Sequence, residues 1–112
     1  MIMSTIEGVE TGVLVVEGRL DLRAAGEVRL QAAAAIAAAS GSLVLDLSAV
    51  EFIDSFGLGV LDGLQRESAR LGGRLAIVVP AGSARQIFAL TRTEAFFTLV
   101  ESPEAAHVAI AS

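Results

Sequence analysis

Val50-Glu51-Phe52-Ile53-Asp54-Ser55-Phe56-Gly57-Leu58-Gly59-Val60-Leu61 joins the end of a hydrophobic strand to the start of a glycine-containing helix, with an acid and a serine at the joint. Upstream, Leu43-Val44-Leu45-Asp46-Leu47 is a near-continuous apolar run, the pattern of a central strand covered on both faces. Downstream, from Ser55 to Leu71, Leu58, Leu61, Leu64 and Leu71 recur at roughly helical spacing, with Gln65, Arg66, Glu67 and Arg70 opposite. Gly72-Gly73 then stops the helix.

The same alternation continues on both sides. Leu75 to Val79 reads as a buried strand ended by Pro80, Ser83 to Leu90 as a short helix, and Phe96 to Val100 as a last strand. Ser102-Pro103-Glu104 supplies the cap, proline and first-turn acid of a terminal helix. On the amino side, the alanine-rich stretch from Ala24 to Ala39 favours helix, with Val28, Ala32, Ala35, Ile36 and Ala39 on one face and Gly41 at its end. Before it, Ile2 to Ile6 and Val13 to Val16 are strand runs separated by a turn region, Glu7 to Gly12. The order β, β, α, β, α, β, α, β, α predicts one α/β domain over residues 1–112. Its mainly parallel sheet carries an N-terminal β-hairpin and about four packed helices.

Composition narrows the function. At 112 residues and 54% hydrophobic content the chain buries one sizeable core. The longest apolar run, Ala32 to Ala39, spans only about 12 Å as a helix, so no membrane insertion is expected. The first residues lack the cationic cluster and apolar segment of a signal peptide, and a cytoplasmic location is expected. A net charge of −5 argues against direct nucleic-acid binding, which depends on clustered cations. All eight cations are arginine, so no P-loop lysine, Schiff-base lysine or receiver-domain lysine exists. One histidine and no cysteine leave no metal constellation built on imidazole or thiolate, and no cofactor is expected.

In an open α/β sheet the loops at the carboxyl ends of the strands form the usual functional edge, and Asp54-Ser55 lies there. Ser55 has two readings: it caps the helix through its hydroxyl, or it is the exposed point of a switch. Gly57 and Gly59 each cost about 1 kcal/mol relative to alanine inside a helix and need a reason, which is close approach by a partner or by the chain's own sheet. Gly57-Leu58-Gly59 is not a dinucleotide motif, because Asp62 stands where the third glycine belongs. Asp21, in Gly18-Arg19-Leu20-Asp21, caps the helix that starts near Ala24 or contributes charge beside the serine. Asp46 is expected to hydrogen-bond the following Ser48–Val50 loop. His107 has no visible partner for a Ser-His-acid arrangement, and no catalytic residue and no enzymatic activity are expected.

Four stretches together resemble the STAS domain family, in particular its free-standing bacterial anti-sigma factor antagonists. They are Gly18-Arg19-Leu20-Asp21, Leu43-Val44-Leu45-Asp46-Leu47-Ser48, Phe52-Ile53-Asp54-Ser55-Phe56-Gly57-Leu58-Gly59, and Gly72-Gly73. The resemblance covers nearly the whole chain. It implies that Ser55 is phosphorylated by an anti-sigma factor with serine kinase activity and that a cognate phosphatase reverses this. The unphosphorylated form would bind the anti-sigma factor and release the sigma factor. Asp21, Asp54, Phe56, Gly57, Leu58 and Gly59 would then belong to the partner-binding surface. The alternative is a STAS subunit of a larger assembly, either a signalling scaffold or the partner of a lipid-transport ABC system, with no phosphorylation switch. Phe56 departs from the small residue usual after the family's serine. It is either a partner-specific anchor or an obstacle to a kinase.

Overall fold

The computed structural model describes residues 2–6, 9–39 and 41–111, with side chains from Gly12 onward. Five strands form one sheet: β1 (Ile2–Ile6), β2 (Val9–Leu20), β3 (Leu43–Ile53), β4 (Leu75–Val78) and β5 (Thr98–Val100). Their spatial order is the chain order. β1 runs antiparallel to β2, from Ile2 opposite Val13 to Ile6 opposite Val9, and every other pairing is parallel. The helices are α1 (Leu22–Ala38), α2 (Ser55–Arg70), α3 (Ser83–Leu90) and α4 (Pro103–Ala111).

Because the strand order never reverses, right-handed crossovers deliver α1, α2 and α3 to the same face of the sheet. The main core lies there. Val28, Ala32, Ala35 and Ile36 of α1, Leu61 and Leu64 of α2, and Ala84 and Phe88 of α3 meet Leu14, Leu43, Leu45, Leu75 and Ile77 of the sheet. The face of α1 read from the sequence is therefore the buried one, and its alanines let it lie close to the strands. α4 covers the opposite face, where Ala106 packs on Val44, Ala76 and Val78. This two-sided cover leaves all four residues of β4 buried.

Element boundaries differ from the sequence reading, chiefly in three of the strands. β2 already includes Val9 to Gly12, while Glu7 and Gly8 of the expected turn lie outside the described residues. β3 runs six residues past Leu47, through the stretch expected to be a loop. It does so by bulging twice against β2, once between the Val15/Asp46 and Glu17/Ala49 pairs and once between Gly18/Val50 and Arg19/Phe52. Asp46 supports the first bulge as expected, its carboxylate accepting the Ser48 N–H at 2.9 Å and the Ser48 hydroxyl. At the second, the Glu51 carbonyl accepts the Ser83 hydroxyl at 3.0 Å, which ties α3 to the bulge. The third difference is the last strand. Glu94–Phe96 is a 3₁₀ turn, and β5 starts only at Thr98 because Phe97 turns inward to meet Phe88 edge-on at 5.5 Å.

The Gly72-Gly73 stop is a Schellman motif: the Gly73 N–H reaches the Ser68 carbonyl, the Gly72 N–H reaches Ala69, and Gly72 takes a φ of 78°. At the other end of the chain Ser102 caps α4, its hydroxyl accepting the Ala105 N–H at 3.1 Å. Phe88 is fully buried and joins α3, the sheet and Phe97. Phe88→Ala should therefore destabilise the fold by about 3–5 kcal/mol, as read by urea unfolding at neutral pH.

Candidate functional site

The site is built by the register of two strands. Leu20 and Ile53 are the last paired residues of β2 and β3, so Asp21 and Asp54 emerge side by side at the carboxyl edge of the sheet. The two bulges in β3 make this possible, because they absorb its extra residues and bring both strands to the same end point. Spacing along the sequence does not contain this information.

Each acid caps a helix, and Asp54 serves two. The Asp21 carboxylate accepts the N–H groups of Arg23 at 3.1 Å and Ala24 at 3.2 Å, closing the first turn of α1. Asp54 accepts the Gly57 N–H at 2.9 Å through one oxygen, and through the other the N–H of Leu22, the first residue of α1, at 3.2 Å. The Asp54 N–H in turn donates to the Leu20 carbonyl at 3.3 Å. One carboxylate thus fastens two helix starts to each other and to the sheet edge. Partial burial pushes the Asp21 carboxyl up, but the Ala24 and Arg23 N–H groups and the nearby Arg19 guanidinium outweigh it and hold Asp21 below its usual range.

The cap of α2 is therefore Asp54 and not Ser55. Asp54 has the extended backbone of an N-cap, φ −101° and ψ −175°, because β3 runs to its doorstep. Ser55 is already the first helical residue, so its hydroxyl takes no part in the cap, and the side chain is exposed. Phe56 follows, 56% exposed, while Leu58 is half-buried. Leu22, at the adjoining start of α1, is 61% exposed. Ser55 thus stands on a partly apolar surface that the sequence reading did not extend to α1.

Gly57 and Gly59 separate cleanly. A Cβ on Gly57 would lie 2.2 Å from the Leu20 carbonyl oxygen, so the close approach here is the chain's own, and Gly57 is buried beneath the surface. A Cβ on Gly59 would meet nothing within 4 Å. Gly59 is exposed and borders a groove of about 370 Å³ between α2 and the 3₁₀ turn, lined by Ser55, Leu58, Asp62, Arg66, Thr93, Phe96 and Phe97 besides Gly59. Phe96 stands 68% exposed on its rim, and Arg66 pairs with Asp62 at 3.2 Å along it. Phe96 was read from the sequence only as a strand residue. Its place on the groove depends on the turn before β5, which carries no strong sequence signal.

Elsewhere at the edge, Arg19 stacks on Phe52, its guanidinium carbon 4.2 Å from the ring centroid, which orients Arg19 towards Asp21 at 3.5 Å. Asp46 is held by Ser48 within β3 and is not one of the residues grouped around Ser55. His107 lies on α4, across the sheet from α2. Among the described residues no group of acids and histidines is placed to hold a metal, and no helix is long and apolar enough to cross a membrane.

The contrast between the glycines is testable. Gly57→Ala should destabilise the protein by about 1–3 kcal/mol, the range for overpacking a tight contact. Gly59→Ala should leave stability unchanged or raise it by up to about 1 kcal/mol through helix propensity. Thermal unfolding of both variants beside the parent separates the two.

Known proteins resemble this chain in sequence and fold. The sequence fits the STAS domain family over residues 1–106. It is 31% identical, over 80 residues, to an anti-sigma F factor antagonist of Lysinibacillus sphaericus, a match covering 70% of this chain and 68% of that protein. A crystal structure of an anti-sigma factor antagonist from Mycobacterium paratuberculosis superposes with a TM-score of 0.82 at 28% identity, covering 99% of this chain and 92% of that one. The Bacillus cell fate determinant SpoIIAA, solved in its phosphorylated form, shares the fold with a TM-score of 0.67 at 24% identity, over 96% of this chain and 97% of that one. The chain belongs to the STAS domain family.

Proposed function

We propose that this protein is an anti-sigma factor antagonist, a regulatory binding protein and not an enzyme, switched by phosphorylation of Ser55. In the unphosphorylated state it binds an anti-sigma factor that is itself a serine kinase and so releases the sigma factor. Phosphorylation ends the binding, and a cognate phosphatase restores it. The observation that carries this reading is the position of Ser55: an exposed hydroxyl on the first residue of α2, outside the cap and beside the exposed Phe56. The names of the relatives point the same way.

The electrostatics of the joint fit such a switch. A phosphoserine adds about −1.5 to −2 charges. The start of α2 favours an anion, because the N–H groups of its first turn point outward and Asp54 takes only that of Gly57 among them. The fold therefore tolerates the phosphate. A partner closing over it meets three negative groups, the phosphate, Asp54 and Asp21, and must strip water from all of them. A penalty of about 3 kcal/mol weakens binding roughly 100-fold. No cofactor takes part in this scheme, and the partner surface comprises Asp21, Asp54, Phe56, Leu58 and Gly59, with Gly57 beneath it.

Phe56 favours a second reading, a STAS subunit of a larger assembly, because a bulky exposed side chain next to Ser55 restricts a kinase's access to the hydroxyl. One experiment separates the two. Incubation with ATP and the serine-kinase anti-sigma factor of the same genome should add a single phosphate to the parent chain and none to Ser55→Ala. Ser55→Asp should bind that anti-sigma factor at least tenfold more weakly while unfolding within a few degrees of the parent. Phosphate incorporation that persists in Ser55→Ala would overturn the switch.

A further inference from the structure

We infer that the groove between α2 and the Glu94–Phe96 turn is the docking site for an apolar side chain of the kinase that modifies Ser55. This inference rests on the reading of Ser55 as the modified residue. Ser55 lines the mouth of the groove, so a kinase that reaches its hydroxyl also covers the groove's near end. The walls then specify what enters. Leu58, Phe96 and Phe97 are apolar, Phe96 stands largely exposed on the rim, and Thr93 closes one side.

Gly59 holds the groove open. The fold does not require glycine there: a Cβ at Gly59 meets nothing within 4 Å, whereas one at Gly57, two residues earlier, strikes the Leu20 carbonyl. A glycine that its own chain does not need, on the wall of an apolar groove, leaves room for a side chain from elsewhere. The Asp62–Arg66 pair borders the same groove, so the occupant is an apolar residue flanked by polar ones. An amphipathic segment of the kinase fits that description, with its apolar residue seated on Gly59 and its polar neighbours against the ion pair. Binding there places the hydroxyl of Ser55 beside the kinase surface and sets the register for phosphoryl transfer from ATP to the serine oxygen, with ADP leaving and the hydroxyl proton passing to the kinase.

Gly63, one helical turn further along α2, supplies the control. It is also exposed and open, but it faces a different depression, bordered by Arg29 and Ala33 of α1. The test compares the parent, Gly59→Leu and Gly63→Leu for binding to the purified serine-kinase anti-sigma factor and for the rate of phosphate incorporation from ATP. Gly59→Leu should keep the parent's circular dichroism and melting temperature, bind at least tenfold more weakly and be phosphorylated correspondingly more slowly. Gly63→Leu should match the parent in all of these. Phe96→Ala, which removes the rim without touching α2, should also weaken binding. If the parent is phosphorylated at Ser55 and Gly59→Leu and Phe96→Ala both behave like it, the groove is not the docking site although the switch stands. If the parent itself neither binds the kinase nor accepts phosphate, both the switch and the docking site are overturned.

Discussion

Asp54 is the joint on which the site depends. Its two carboxylate oxygens take one N–H from each of two helices, Leu22 of α1 and Gly57 of α2, and its own N–H is held by Leu20 at the end of β2. One carboxylate thereby satisfies an N–H at each of two helix starts that the helices themselves leave unpaired. The contact is possible only because Gly57 has no side chain, since a Cβ there would lie inside the Leu20 carbonyl. Removing the Asp54 carboxylate uncaps α2 and at the same time frees the Leu22 N–H of α1, whose own cap, Asp21, stays in place.

What the joint produces is an exposed surface carried on two helix starts. The strand order runs 1 to 5 without reversal, so the sheet has none of the switch-point crevice where open α/β proteins seat small ligands. Asp21 and Asp54 are both engaged with backbone N–H groups, which suits them to hold geometry rather than to transfer protons. Ser55, Phe56 and Leu22 are carried outward on the rigid starts of two helices. A serine presented in this way is well placed to be the substrate of another protein, and acids fixed around it make added negative charge costly in a closed interface.

Much of this was legible in the sequence where a local signal existed. The order of elements, the hairpin, the buried face of α1, the limits of α3 and the Ser102 cap of α4 each rest on periodicity, a cap residue or a breaker within a few positions. The rest depends on pairing between distant segments. The full lengths of β2 and β3 arise because each strand continues while the other supplies hydrogen bonds, and the bulges that align Asp21 with Asp54 follow from 32-residue-distant contacts such as that of Ser83 with Glu51. The cap moved from Ser55 to Asp54 for the same reason: β3 runs to Ile53, so the first residue free to adopt the capping conformation is the acid. Phe96 and Phe97 form a continuous strand pattern with Thr98-Leu99-Val100, yet the attraction of Phe97 for Phe88 overrides it.

The shared role of Asp54 can be read directly from the amide protons of Leu22 and Gly57 in nitrogen–proton NMR spectra of the parent and of Asp54→Ala at neutral pH. In the parent both should show the downfield shifts and slowed exchange of N–H groups bonded to a carboxylate. In the variant both should lose them together, while Arg23 and Ala24, which Asp21 holds, keep theirs. A Leu22 amide unchanged by the substitution, with only Gly57 affected, would show that Asp54 caps α2 alone and that the two helix starts are not joined through it.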